Sequence, residues 1–232
     1  MLYPGARVSQ AALKKKALAV HERLMAHYGK PTWRTPLPAL DELVSTILSQ
    51  ATSDLNRDKG FDALKANFKD WEAVRDAPAK DVVTAITPAG LANQKGPRIQ
   101  QVLREITEKT GALSLEFLRG YTPQQAIEWL VQFKGVGRKT ASIVLQFSLD
   151  LPAFPVDTHV HRVSGRLGLR PEKMSADAAH EHLEALFPPE TYYDGHLNII
   201  RLGREVCQAR TPRCADCPLQ DLCDYRKTHP DA

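Results

Sequence analysis

Apolar positions along this chain recur every three to four residues rather than every two. Behind Ser9, residues Leu13, Ala17, Val20, Leu24 and Tyr28 fall on one stripe of a helix that Gly29 closes. Pro31, Pro36 and Pro38 then make an extended link. Asp41 is placed to cap a second helix carrying Leu43, Val44, Ile47, Leu48 and Ala51. Helical patterns follow around 57–68, 70–76, 79–86, 95–109, 123–132 and 138–148, punctuated at Pro88-Ala-Gly90, Gly111 and Gly120. No run alternates convincingly at period two and no repeat occurs, so the spacing predicts an all-α protein without a large sheet.

The texture changes after Leu149. The stretch DLPAFPVD has two prolines in eight residues and reads as a crossing loop. Asp157 then stands where a helix N-cap belongs, ahead of Val160, Val163 and Leu167. Further helices are expected near 175–186 and 194–206. The pattern predicts two helical lobes with a cleft between them.

Composition narrows the class. Of 232 residues, 43% are hydrophobic and 25% charged, as in ordinary globular proteins. No apolar run approaches the roughly 20 residues of a membrane span. The start, MLYPGARVSQAALKKK, lacks an apolar core followed by a cleavage site, so an intracellular location is expected. Net charge is +4 and the pI about 8.9. Between Val131 and Arg170, six basic residues (Lys134, Arg138, Lys139, Arg162, Arg166, Arg170) face two acids, Asp150 and Asp157. Such a surplus suits a polyanion such as DNA, and equally a solvated basic face.

All four cysteines lie between positions 207 and 223, as Cys207-x6-Cys214-x2-Cys217-x5-Cys223. Four thiolates this close can surround one metal centre. Zinc loops usually pair two C-x-x-C hooks, and only one is present here. The spacing therefore favours a cubane iron–sulfur cluster over zinc, with paired disulfides a third possibility. Such a centre would stabilise a segment too short to bury a core of its own.

Residues 133–139 read FKGVGRK. Gly135-Val136-Gly137 permits a tight turn with uncovered N–H groups, and RKTASIVLQF opens a helix. With the helix before it, which carries Ile127, Leu130 and Val131, this is a helix–hairpin–helix or an ordinary helical corner. A glycine turn at a helix N-terminus suits a phosphate oxygen. Lys139 sits in that helix's first turn. Only neutral amine attacks carbon, and Arg138 together with the positive helix end favours that form. A lysine there could also simply bind phosphate. Asp157 is normally explained as a cap. A carboxylate can also stabilise charge on a sugar during glycosidic cleavage and shuttle protons to an amine.

The order GVGRKTA, VDTHVHRV and C-x6-C-x2-C-x5-C resembles the endonuclease III family, helix–hairpin–helix DNA glycosylases with AP-lyase activity, from about Ser9 to Cys223. The resemblance implies a six-helix barrel domain over 31–151 containing the hairpin, and a helical domain of 1–30 plus 152–232 carrying a [4Fe-4S] loop. It implies catalytic roles for Lys139 and Asp157, and cluster ligands at Cys207, Cys214, Cys217 and Cys223. It also implies DNA contacts at Gly135, Val136, Gly137 and Arg138. LSQAT matches the family's SAQAT and puts Gln50 where a side chain fills the gap left by an everted nucleotide. GLANQK matches GLYNSK and puts Leu91 at a possible wedge.

The implied reaction everts a damaged nucleotide, attacks C1′ through Lys139, and breaks the strand by β-elimination from a Schiff base. The implied partner is double-stranded DNA with oxidised pyrimidines or abasic sites, handled by a monomer in a prokaryotic cytoplasm. Three departures stand out. Phe133-Lys134 replaces the usual Leu-Pro, the link SLEFLRGYTPQQAIEWL is long, and Ser53 precedes Asp54 where the family has Asp directly. Related adenine and mismatch glycosylases lack the lysine. A non-catalytic DNA-binding module and an electron carrier are the rivals from other classes.

Overall fold

In the computed structural model, residues 9–32 and 35–230 are described. Much of the N-terminal stretch read against a secretory signal therefore lies outside them. Among the described residues the regular elements are helical, with no strand. In chain order they are α1 (Gln10–Tyr28), α2 (Ala39–Leu48), α3 (Asp54–Asn67), α4 (Trp71–Asp76), α5 (Ala79–Ala85) and α6 (Ala92–Thr110). These are followed by α7 (Pro123–Leu130), α8 (Arg138–Val144), α9 (Thr158–Arg166), α10 (Ala176–Glu184), α11 (Tyr192–Glu205) and α12 (Asp224–Thr228). None is long and apolar enough to cross a membrane. The chain divides into two compact units, residues 35–151 and residues 1–34 with 152–232.

The 35–151 unit packs α2 to α8 around Leu43, Ile47, Leu103, Ile106, Leu130 and Leu145, all inaccessible to solvent. Burying one such side chain stabilises by about 1.5–3 kcal/mol, so the stripe on α2 alone anchors the unit. Asp41 does not cap α2. The helix starts two residues earlier, behind Pro38, whose extended backbone sets the entry. Asp41 is turned to α3 and α4, where its carboxylate accepts from Trp71 Nε1 at 2.6 Å and Lys65 Nζ at 3.2 Å. Nor does α2 reach Ala51, which adopts a left-handed φ of 51°. Two later helices also begin before their expected positions. α3 starts at Asp54 because the Ser53 hydroxyl accepts from the Asn56 amide at 3.3 Å, which gives the unusual serine a local task. α6 starts at Ala92.

The long link before the hairpin is a packed element. Its 3₁₀ turn, Glu116–Gly120, presents Phe117 edge-on to Trp129 at 5.0 Å, and Trp129 meets Phe133 at 4.9 Å. Phe133 is 1% exposed, so an aromatic fits where the family commonly has leucine. Arg119 ties the same turn to the end of α8, donating to the Ser148 carbonyl at 2.6 Å and the Asp150 carboxylate at 3.1 Å. There α8 widens into a π-helical turn over Leu145–Leu149.

The other unit packs α1 and α9 to α12 around Leu24, Phe154, Val160, Val163, Leu183 and Leu202. Three of the six basic residues that make the local charge surplus belong here and bond to backbone. Arg170, nearly buried, donates to the carbonyls of His161, Pro171, Glu172 and Met174. Arg162 and Arg166 reach the start of the cysteine loop.

Candidate functional sites in the two units

The hairpin joins α7 to α8. The Thr122 hydroxyl and the Gln125 side chain form a capping box at the start of α7, and the turn follows its last residue. Val136 closes this turn: its N–H donates to the Phe133 carbonyl at 3.0 Å and its side chain is 3% exposed. Gly135 and Gly137 flank it, the first at φ 88°. That left-handed backbone favours glycine. Gly137 is the N-cap of α8, Arg138 its half-buried first residue, and Lys139 an exposed residue of its first turn. Lys134 is exposed beside them.

Gln50 lies against this turn. Its Nε2 donates to the Gly135 carbonyl at 3.0 Å, and its Oε1 accepts from Arg98 Nη1 at 3.2 Å. Leu91 stands before α6 at φ 49°, 51% exposed, an unusual posture for a leucine. Behind both loops is Lys95, 1% exposed, whose Nζ donates to the carbonyls of Leu48 and Ala89, each at 2.7 Å. Neither Lys95 nor Arg98 stood out in the sequence reading. The signal for Lys95 was a cation in register with Ile99, Val102 and Ile106 on one helical stripe.

In the other unit Asp157 caps α9, its Oδ1 accepting from the Val160 amide at 2.7 Å. The carboxylate is half-buried, and the chain leading to it is pinned. The Phe154 amide donates to Glu184 at 3.0 Å, and His196 Nδ1 donates to the Pro155 carbonyl at 2.8 Å. The Val156 amide donates to His180 Nε2 at 3.1 Å, so the His180 proton sits on Nδ1 and goes to the Ala176 carbonyl at 2.9 Å. On the same helix Arg162 donates to the Cys207 carbonyl at 3.0 Å and meets His159 Nδ1 at 3.0 Å.

The four cysteines are free thiols, which removes the disulfide alternative. All four line one recess, open in part to solvent, together with Arg166 and Arg213. Among the described residues no three His, Cys, Asp or Glu side chains converge closely enough to share one ion. Four sulfur donors lining one recess fit an iron–sulfur centre. Burial pushes the Cys217 thiol up to about 11 and raises Cys223 as well. Arg166 brings positive charge to them, with Nη1 at 3.3 Å from Cys207 Sγ and its guanidinium over the Tyr225 ring.

Comparison with known proteins agrees with both halves. A family model described as HhH-GPD superfamily base excision DNA repair protein matches residues 44–189. A second, the iron-sulfur binding domain of endonuclease III, matches residues 207–223. Endonuclease III of Thermotoga maritima is 34% identical over 183 residues, covering 79% of this chain and 81% of the relative. A relative from Arabidopsis thaliana bearing the name of a DNA glycosylase is 35% identical over 195 residues, which are 80% of this chain; the match spans 66% of that relative's length. The solved structure of a non-covalent endonuclease III–DNA complex aligns with a TM-score of 0.82 at 25% identity, over 94% of this chain and 99% of that one. Hairpin, capping aspartate, thiol-lined recess and these matches place the chain in the HhH-GPD superfamily of base excision DNA repair proteins, within the endonuclease III family of DNA glycosylase/AP lyases that carry a [4Fe-4S] cluster.

Proposed function

We propose that this protein binds double-stranded DNA, removes oxidised pyrimidines, and cuts the strand at the resulting or at a pre-existing abasic site, with Lys139 as the nucleophile. The observation that carries the reading is the exposed amine in the first turn of α8, directly behind the glycine turn of the hairpin. The hairpin residues Gly135, Val136 and Gly137, with Arg138, form the phosphate grip. Val136 builds the turn and the glycines let the strand approach. The grip sets the register of the strand against Lys139.

The reaction follows from the amine. The damaged nucleotide leaves the stack, since its C1′ is otherwise out of reach. Gln50 fills the gap and Leu91 wedges the duplex. Lys139 Nζ bonds to C1′ as the bond from C1′ to the base nitrogen breaks, and the base leaves with a proton. Opening of the sugar ring gives a Schiff base. Loss of a C2′ proton then expels the 3′ phosphate by β-elimination. Asp157, in the other unit, accepts and returns protons and stabilises the positive charge on the sugar.

Cys207, Cys214, Cys217 and Cys223 would hold the cluster, which supplies a rigid fold for the loop and fixes Arg210 and Arg213 on it. The 35–151 unit serves as the barrel domain with the hairpin, and the remainder as the cluster domain. The protein works as a monomer, without a membrane, in a prokaryotic cytoplasm at the nucleoid.

Borohydride added to protein incubated with an abasic duplex tests this reading. A covalent adduct that Lys139→Gln abolishes is expected. A folded protein that forms none would falsify the lyase and leave a DNA-binding module.

A further inference from the structure

Lys95 is a buried cation without a role in the reading above. Its ammonium is desolvated, which is costly, and a methionine would fill the same space without that cost. Packing therefore does not explain it. Its two hydrogen bonds do. Leu48 is the last residue of α2, and Ala89 is the last residue of a 3₁₀ turn, Thr87–Ala89. Helix ends leave carbonyls without intrahelical donors, and one ammonium serves both.

The chain that follows each carbonyl is distinctive. Gln50 comes two residues after Leu48, and Leu91 comes two residues after Ala89. Ala51 and Leu91 both lie in the left-handed region, at φ 51° and 49°. Among the described residues only Asp150 shares this posture without being glycine. Such backbone persists where the surroundings over-determine it. Arg98, one turn beyond Lys95 on α6, holds Gln50 from the other side.

We propose that Lys95 is a positioning residue for duplex opening: by holding the Leu48 and Ala89 carbonyls on one ammonium, it fixes Gln50 and Leu91 relative to each other so that they enter the DNA together. This rests on the gap and wedge roles given above to those two side chains. Lys95 touches no DNA and no reacting atom, so its effect falls on extrusion of the nucleotide and not on bond breaking.

Lys95→Met keeps the stem and volume and removes the ammonium. Single-turnover cleavage is measured on an abasic duplex and on the same abasic strand alone, where no duplex has to open. The fluorescence of 2-aminopurine next to the lesion reports unstacking, and a thermal melt reports folding. The expected result is a loss of about tenfold or more in duplex cleavage and in the fluorescence rise, with single-strand cleavage held within about twofold. In a Gln50→Ala/Leu91→Ala background, Lys95→Met should cost nothing further on the duplex. Equal losses on both substrates, or an unchanged duplex-to-single-strand ratio, overturn the proposal. If Lys95→Met does not fold, Lys95→Leu, which likewise has no ammonium to hold the two carbonyls, enters the same assays, and a wild-type ratio there overturns it equally. Wild-type protein that forms no borohydride adduct overturns the lyase reading; an adduct together with an unchanged ratio overturns this proposal alone.

Discussion

The side-chain amide of Gln50 donates to the carbonyl of Gly135 at 3.0 Å, so the loop after α2 is fastened to the tip of the hairpin. Arg98 completes the unit. It donates to Gln50 and lies so close to the Gly135 α-carbon that a Cβ there would collide with its Cδ and Nε. Glycine at 135 is thus favoured by its φ of 88° and also leaves room for the Arg98 side chain against the turn. The phosphate grip and the gap-filling side chain proposed above are in this way one mechanical piece.

Gly135→Ala must strain the turn or displace Arg98, and with it Gln50. It should destabilise the fold by about 1–3 kcal/mol. Binding to an abasic duplex should weaken by about tenfold or more, because the grip loses its register. Thermal melting and fluorescence anisotropy read the two effects separately. A lowered melting temperature with unchanged binding would remove the hairpin from the DNA interface.

Asp157 serves as the α9 cap and is proposed to assist the reaction, and two substitutions separate these roles. Asparagine caps about as well as aspartate, so Asp157→Asn should change stability little, whereas Asp157→Ala should cost about 1 kcal/mol. Both should lower the single-turnover lyase rate by about a hundredfold, since both lack the carboxylate. If Asp157→Asn retains full activity and only Asp157→Ala is impaired, the residue is a cap and nothing more.

What the sequence made legible was local. The stripe behind Ser9, the hairpin glycines and the Asp157 cap each lie within one helical turn of the residues that explain them. The start of α2 was misplaced because Pro38 can open a helix without a side-chain cap, while Asp41 has partners 24 and 30 residues away. The arginines were harder. Arg162 and Arg166 count as surface charge in a linear reading, yet they donate to Cys207 and Gln208 from more than 40 residues away. Lys95 was hidden as well: it breaks an apolar stripe, and the carbonyls that accept it lie 6 and 47 residues away at the ends of two separate helical elements.

Removing the cluster should unfold its own loop first. The segment 207–223 has only short 3₁₀ turns and few fully buried side chains, so metal ligation contributes most of its order. Cys217→Ser, or acid with a chelator, should abolish the visible absorption band and open amides of 207–223 to hydrogen exchange. The 35–151 unit should stay protected, because its core is built from its own helices. Loss of protection in that unit at the same rate would show that the cluster supports the whole fold. Zinc in place of iron and sulfide on elemental analysis would contradict the cluster itself.

Lys134 is exposed at the hairpin, where the family commonly has proline. One phosphate contact changes the slope of log Kd against log salt by about 0.9 on duplex DNA. Lys134→Ala should therefore flatten that slope by about one and weaken binding evenly across sequences. An unchanged slope would mean that Lys134 points away from the bound strand.

Burial pushes the Lys95 ammonium below the ordinary lysine value of 10.5, which makes the fold's stability depend on pH in a definite direction. Below the depressed value both folded and unfolded chains carry the proton, and the folded state bears the full cost of burying the charge. Between that value and 10.5 the unfolded chain holds a proton that the folded chain has released, so stability rises with pH through this window. Lys95→Met has no such dependence, and every other titrating group cancels in the comparison. Urea midpoints of the two proteins should keep a constant difference at lower pH and then shift in favour of the wild type as pH climbs toward 10.5. A shift in favour of Lys95→Met over the same range would mean that the Leu48 and Ala89 carbonyls solvate the ammonium better than water does, and that the residue stabilises the fold by its charge as well as joining the two loops.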